Sequence, residues 1–277
     1  RSSDLPGAEY TMAFDTLLPD GKALQIGTVH NLGQTFAKTY DITFENKEGE
    51  HEYAYQTCYG ISDRVIAAVI GIHGDDKGLV LPPKVSPKQV TIIPILFKKG
   101  KEEVLNKCNE IKESLENAGI RVRIDSRDIR PGKKFYEWEL KGTPIRLELG
   151  PRDLENNKTV LVRRDNLEKV ELSLKEDIVS PVKNALNDID GLLRENAWDS
   201  FKDNIKSVED VNEINSLIEN GNMASFPWCG DEDCGKAIEE LTDIDLLGTY
   251  KEDIETDDVC AHCGKPAKHI ALIAKTY

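Results

Sequence analysis

The sequence predicts an α/β multidomain protein in three consecutive segments, 1–85, 86–187 and 188–277. Three observations carry that prediction. From Tyr10 to Phe44, short strand-like runs broken by turn signals suggest part of a larger antiparallel sheet rather than a whole one. From Gln89 to about Asn187, strands and helical patterns alternate, which argues for a mixed or parallel sheet covered by helices. From about Asp188 the chain turns strongly acidic, and its last part, Met223 to Tyr277, holds four of the six cysteines.

The first segment begins with a short mixed run, Tyr10 to Phe14, and a turn at Pro19-Asp20-Gly21. Ala23 to Val29 reads as the returning strand of a hairpin, Leu32 to Tyr40 as a short helix, and Tyr40 to Phe44 as alternating again. Tyr55 to Gly60 mixes aromatic, β-branched and polar residues and reads as a strand. After the polar step Ser62-Asp63-Arg64 comes Val65 to Ile72, almost wholly apolar and too short for a membrane span, so a helix buried in a core is expected. Leu81-Pro82-Pro83 and Ser86-Pro87 then make a stiff crossing to the next domain.

In the second segment, Val90 to Phe97 reads as a buried strand. Lys101 to Ala118 is an amphipathic helix with Val104, Leu105, Cys108, Ile111 and Leu115 on one stripe, ending at Gly119. Ile120 to Asp125 follows as a strand, Pro131 to Leu140 as a helix stopping before Gly142, Pro144 to Leu149 and Thr159 to Arg163 as strands, and Leu174 to Leu186 as the closing helix. In the third, Leu192, Leu193, Ala197, Phe201 and Ile205 keep helical spacing, and a further helix over Val208 to Glu219 ends at Asn220-Gly221.

No run is long enough to span a bilayer, and RSSDLPGAEY carries no secretory pattern, so a cytoplasmic protein is expected. A chain that opens on Arg1 instead of Met reads as cut from something longer. The net charge of −14 is uneven: residues 188–277 hold 21 acidic and 8 basic side chains, which leaves only −1 on the first 187. Within that near-neutral part, Arg121, Arg123, Arg127, Arg130, Lys133, Lys134, Lys141 and Arg146 outnumber 4 acidic residues. Such a segment suits a phosphate backbone or is simply a solvated charged face.

Cys229-x4-Cys234 and Cys260-x2-Cys263 are two close pairs, 26 positions apart, each beside a glycine (Gly230 and Gly264) that permits a tight turn. Four thiolates fill a tetrahedral Zn²⁺ shell and leave no position open for water, which makes the site structural. Two disulfides are the rival, but the knuckle-like spacing and the lack of a secretory signal favour zinc. His262 and His269 are the nearest substitute ligands, while Cys58 and Cys108 read as ordinary strand and helix residues.

Together these features resemble the C-terminal part of the prolyl-tRNA synthetases of the archaeal and eukaryote-like type. Four stretches carry the resemblance: Gln25-Ile26-Gly27-Thr28-Val29-His30-Asn31-Leu32-Gly33-Gln34; Thr57 to Arg64 with His73 to Pro83, which is similar to motif 3 of class II synthetases; Phe135-x3-Glu139-x2-Gly142-x-Pro144-x-Arg146; and the cysteine spacing with terminal Tyr277. The resemblance implies a remnant of a class II antiparallel-sheet catalytic domain, an α/β anticodon-binding domain and an α+β zinc-binding C-terminal domain. It implies an aminoacyl-tRNA synthetase that condenses L-proline with ATP to prolyl-adenylate and esterifies tRNA(Pro), with Mg²⁺ accompanying ATP and the enzyme a homodimer.

By the same resemblance Gln25, Thr28 and Arg64 are ATP-binding, and His30 and Ser62 line the proline pocket. Phe135, Glu139 and Arg146 are associated with anticodon bases, and Cys229, Cys234, Cys260 and Cys263 hold zinc. Without the family, His30 reads as an ordinary polar or core histidine and Phe135 as a core aromatic. His73 receives no role. Val29 stands where the family has Ser, and Cys58-Tyr59 where Ser-Trp is common. No protein nucleophile is expected, since activation works by positioning and charge stabilisation. Class II motifs 1 and 2 are absent from the sequence. A non-catalytic, synthetase-like RNA-binding or regulatory protein is therefore the alternative, and another class IIa synthetase a third reading.

Overall fold

The computed structural model describes residues 5–97, 100–251 and 258–277. Residues 1–4, on which the secretory reading partly rests, and 252–257, part of the acidic run, lie outside these. The chain folds as two compact units, one from Arg1–Gly71 with Asp199–Tyr277 and one from Ile72–Trp198.

In the first unit β1 (Tyr10–Leu17) and β2 (Ala23–Gly33) pair as an antiparallel hairpin. The turn closes where Gly21, at φ +81°, donates its N–H to the Leu18 carbonyl. A side chain there would come within 2.3 Å of the Gly221 backbone, so glycine is required for both reasons. Helix α1 (Thr35–Tyr40) and the small hairpin of β3 (Thr43–Glu45) and β4 (His51–Tyr53) lead to β5 (Gln56–Ile61). Strand β5 pairs antiparallel with β2, giving the order β1-β2-β5. Helix α2 (Arg64–His73) follows.

The helix falls where the apolar run predicted it, but its expected burial is corrected. Only Ala68 is buried, and Ile66 is 61% exposed. The neighbouring strand is equally bare, with Tyr59 and Ile61 each 78% exposed.

The second unit carries β6 (Val90–Pro94), α3 (Lys101–Asn117), β7 (Val122–Ile124), α4 (Pro131–Leu140), β8 (Ile145–Leu149), α5 (Pro151–Glu155), β9 (Lys158–Arg163), β10 (Lys169–Ser173) and most of α6 (Val179–Asp203). Its sheet runs β10-β9-β8-β6-β7; β6 lies parallel to β7 and β8, and the other pairs are antiparallel. Every residue of β6 is buried, as a central strand covered on both faces requires. Val104, Cys108, Ile111 and Leu115 bring the predicted stripe of α3 into this core.

The closing helix differs from expectation. Instead of ending at Leu186, α6 runs unbroken for 25 residues through the compositional change at 188. Val182, Leu186, Ile189 and Leu193 continue one buried stripe, so the acidic shift falls on the outer faces and does not mark a helix end.

The remainder of the first unit holds β11 (Ile205–Ser207), a 3₁₀ turn (Val211–Glu213), α7 (Ile214–Glu219), β12 (Met223–Trp228), α8 (Glu232–Thr242), β13 (Leu246–Thr249) and β14 (His269–Ile273). The sheet order is β11-β12-β14-β13, parallel at β11-β12 and antiparallel elsewhere. Phe226, Ile214, Ile238 and Ile273 fill its core.

A second cluster joins Leu17 and Ala23 of the hairpin to Met223, Leu247 and Ala274. The end of the chain seals it: Ala23 donates to the Lys275 carbonyl at 2.7 Å, and the Tyr277 hydroxyl donates to Asp20 at 2.6 Å. The first and last parts of the sequence thus share one core. No helix among the described residues is long and apolar enough to cross a membrane.

Candidate functional site

The register of β2 with its two neighbours settles which predicted residues share a face. Thr28 lies opposite Ala13 and Gly60, and His30 opposite Thr11 and Cys58. Being two apart on a strand, Thr28 and His30 point to the same side. The His30 Nδ1 lies 2.8 Å from the Thr11 hydroxyl, a contact that fixes the ring. At the end of β5, Ser62 donates its backbone N–H to the Ile26 carbonyl at 3.0 Å, while its hydroxyl accepts from the Arg64 N–H at 3.3 Å and starts α2. The Arg64 guanidinium reaches back to the Gln25 carbonyl at 3.5 Å. Gln25, Ser62 and Arg64 therefore meet at one end of the β2–β5 pair, while Thr28 and His30 lie further along β2 on a shared face. Arg64 remains exposed, as does Ser62.

A second constellation lies in the α/β unit. Phe135 and Glu139 are four apart on α4 and so share a face. From β8, Arg146 places its guanidinium 4.5 Å from the Phe135 ring centroid and donates to Glu139 at 2.9 Å and to Glu148 at 2.8 Å. All three predicted residues come together, and Glu148 is a partner the motif did not name. Its signal is available in the sequence, because residues 146 and 148 alternate onto one face of a strand.

The basic segment around this cluster is less free than its count suggests. Arg127 is paired with Asp125 and Glu137, and Lys141 also holds Glu137. Lys134 is buried and donates to the Asp125 carbonyl at 2.9 Å, where burial pulls its pKa down. Arg121 holds the carbonyls of Pro83, Lys84 and Ser86, which pins the proline-stiffened crossing. Arg130 and Lys133 are exposed. Asp125 sits at the centre: the Arg127 guanidinium, helped by the Trp138 indole N–H, holds its carboxyl well below the usual range.

The four cysteine sulfurs lie within 4.8 Å of one another. Cys229 follows β12, and Cys234 sits in the first turn of α8, which Asp231 caps by accepting from the Asp233 N–H at 3.0 Å. Gly230, at φ +80°, turns the chain between them. The second pair is closed by the Gly264 N–H donating to the Cys260 carbonyl. The sulfurs of Cys234 and Cys260 are 3.8 Å apart, those of Cys229 and Cys263 3.7 Å.

These separations exclude disulfides in this structure and match the roughly 3.8 Å edge of a tetrahedron whose sulfurs lie about 2.3 Å from a central metal. Burial pushes the Cys229 and Cys234 thiols up. Burial also opposes ionisation of Cys260, but the backbone N–H groups of Cys263, His262 and Cys229 outweigh it and bring that thiol to about 7. Such N–H donation to sulfur stabilises the thiolate a metal needs. Cys108, by contrast, is pushed to about 12 by burial and is a core residue of α3, as expected. Cys58 is exposed on β5.

Two family models match separate stretches of the chain. The family model described as "Anticodon binding domain" matches residues 89–183, and "Prolyl-tRNA synthetase, C-terminal" matches 211–277. The chain is 64% identical over 272 residues to the proline–tRNA ligase of Methanobrevibacter smithii, covering 98% of this chain and 58% of that protein. It is 52% identical over 263 residues to that of Methanothermobacter thermautotrophicus, covering 95% and 54%. Among solved structures, a prolyl-tRNA synthetase from Cryptosporidium parvum, complexed with halofuginone and AMPPNP, superposes with a TM-score of 0.94 at 36% identity, over 100% of this chain and 58% of that one. The chain thus spans a little over half the length of the relatives it matches. On the two family models, these identities and the shared fold, the chain is similar to the C-terminal part of prolyl-tRNA synthetases.

Proposed function

We propose that this chain belongs to an enzyme that activates L-proline with ATP and transfers it to tRNA(Pro). The observation that carries this reading is the match along nearly the whole chain to proteins named proline–tRNA ligase. The β1-β2-β5 sheet with α2 is read as the part of a class II catalytic domain that carries motif 3. There Arg64 supplies a permanent, planar cation for the adenine and phosphates of ATP, and Gln25 and Thr28 hydrogen-bond the nucleotide. His30, its ring oriented by Thr11, and Ser62 line the proline pocket. Mg²⁺ bound with ATP would neutralise phosphate charge during adenylate formation. The side chains bind and orient, and no protein nucleophile is called for.

Phe135, Glu139 and Arg146 are read as the anticodon contact. An aromatic face stacks an unpaired base, and a carboxylate and guanidinium read base edges. Cys229, Cys234, Cys260 and Cys263 are read as the ligands of a structural Zn²⁺; the sulfur separations support this. With every ligand position filled, the metal contributes folding energy and no open site for chemistry. The working enzyme is taken as a cytoplasmic homodimer.

The deciding experiment is proline-dependent ATP–pyrophosphate exchange by the full-length gene product. Exchange with proline is expected. Absence of exchange with proline or any other amino acid overturns the enzyme in favour of a synthetase-like RNA-binding protein. Metal analysis should find about one zinc per chain.

A further inference from the structure

The stretch His73-Gly74-Asp75-Asp76-Lys77-Gly78-Leu79 belongs to the recognised pattern, yet none of the roles above uses it. Within the α/β unit it makes a compact turn: Asp75 and Gly78 exchange backbone hydrogen bonds at 3.0 Å, and the Asp75 carboxylate accepts from the Lys77 N–H at 2.9 Å. The segment then runs beside the C-terminal end of α4. Leu79 donates to the Leu140 carbonyl at 3.0 Å and Leu81 to the Gly142 carbonyl at 3.3 Å. Both glycines at this seam are obligatory. A Cβ on Gly78 would meet the Leu140 carbonyl oxygen at 2.6 Å, and one on Gly142 the Leu79 carbonyl oxygen at 2.6 Å.

Arg164, just past β9, locks the arrangement. Its side chain is 2% exposed. Its Nη1 and Nη2 donate to the two Asp75 carboxylate oxygens at 2.8 and 2.6 Å, and its Nε donates to the Glu139 carbonyl at 2.8 Å. A helix C-terminus presents carbonyls without internal partners and the negative end of the helix dipole, so a buried guanidinium is a strong cap there. Burying that cation requires a counter-charge, which Asp75 provides; Arg164 holds the Asp75 carboxyl down at about 2. Glu139 thus sits between two arginines. Arg164 fixes its backbone, and Arg146, itself against Phe135, fixes its carboxylate.

We propose that Asp75 and Arg164 are positioning residues for anticodon recognition, setting the end of α4 so that Glu139 is presented in register with Phe135 and Arg146. The inference rests on reading those three residues as the anticodon contact. Neither Asp75 nor Arg164 touches the nucleic acid. They act through the Glu139 backbone, so their removal loosens base discrimination without touching amino-acid activation.

The test uses the full-length enzyme and tRNA(Pro) transcripts carrying either the native anticodon or single anticodon base changes. Asp75→Asn keeps the size of the side chain and removes the counter-charge; Arg164→Lys keeps the charge and removes the planar fork. Each is expected to raise KM for native tRNA about tenfold and to narrow the gap between native and altered transcripts by a similar factor. Proline-dependent pyrophosphate exchange should stay at the parental rate, and Asp75→Glu should recover most of the discrimination.

A purely structural role predicts instead that exchange and charging fall together while discrimination holds, and that result overturns the proposal. Unchanged discrimination in both variants, while Glu139→Gln loses it, overturns the proposal and leaves the anticodon reading standing. If Glu139→Gln itself leaves discrimination intact, the anticodon reading falls and this inference falls with it.

Discussion

Helices α2 and α3 meet opposite fates. Helix α2 is the more apolar, with Val65, Ile66, Val69, Ile70 and Ile72 within ten residues, yet it buries only Ala68. Helix α3 is rich in charge, yet Val104, Cys108 and Leu115 are wholly buried and Ile111 is 3% exposed. What separates them is cover. The apolar residues of α3 recur at three- and four-residue intervals and make one stripe, which the sheet of its own unit covers. Val65, Ile66, Val69, Ile70 and Ile72 of α2 also keep three- and four-residue intervals along one side, but the neighbouring sheet of three described strands has an edge strand, β5, that is itself exposed. Apolarity locates a helix; burial also needs a partner surface.

The largest expected effect probes the most densely interlocked region. Cys229, Cys234 and Cys260 belong to the core that also contains Phe226 and Ile238, so the candidate metal-binding cluster and the apolar core are one structure. Removing a bound metal by chelation, or one ligand by Cys260→Ser, should cost on the order of 10 kcal/mol and melt this region. Far-ultraviolet circular dichroism during heating should then show an early transition for the C-terminal elements and a later one for the α/β unit. A single transition unmoved by chelator would show that the sulfurs hold no metal.

Next in size is a truncation in the covered helix. Ile111→Ala should destabilise the protein by about 2–5 kcal/mol in urea unfolding, because the close-packed core cannot collapse around the lost methyl groups. A cost below 1 kcal/mol would break the contrast between α2 and α3.

The network beneath α4 should cost less. Asp125→Asn removes the anion to which Arg127 and the Trp138 indole donate, for a loss of about 1–3 kcal/mol at neutral pH. Arg127 is 44% exposed, so solvent screening places the effect toward the lower end. The native carboxyl titrates below its unfolded value of about 3.9, so its contribution is fully present above about pH 4 and lost as pH falls through the depressed native value. The difference between parent and Asp125→Asn should therefore shrink on acidification. A difference constant from pH 7 to pH 2 would rule out the ion pair as its source.

How much of this was legible depends on the range of the interaction. The α3 stripe, the end of α4 before Gly142 and the hairpin turn at Gly21 are local patterns, and sequence reading finds them. The cysteine quartet joins two distant knuckles, yet it was legible because four like ligands admit few arrangements. Clustering of Phe135, Glu139 and Arg146 was legible only through resemblance, since nothing local says that β8 runs beside α4.

Other features escaped. Helix α5, the β3–β4 hairpin and the pairing of β10 with β9 are short and carry weak periodicity, and none of β12, α8, β13 and β14 was legible in the cysteine-bearing segment. The continuity of α6 was hidden by acidic residues on its outer faces. The Asp75–Arg164 pair joins residues 89 positions apart, and an ion pair at that separation leaves no pattern in a single sequence.

The smallest expected effect returns to α2. Ile66 is 61% exposed, so Ile66→Lys removes little buried apolar area from this chain and should change its unfolding free energy by less than about 0.5 kcal/mol. The same substitution in a protein of the relatives' full length is a sharper probe. A further element lying against α2 would give the lysine a desolvation cost, and unfolding should then show a loss of about 2 kcal/mol or more. Comparing the two lengths separates a helix that is bare by design from one whose cover is supplied elsewhere in the polypeptide. Equal, small effects in both would mean that the apolar face of α2 serves no packing at either length, and that missing cover does not explain its contrast with α3.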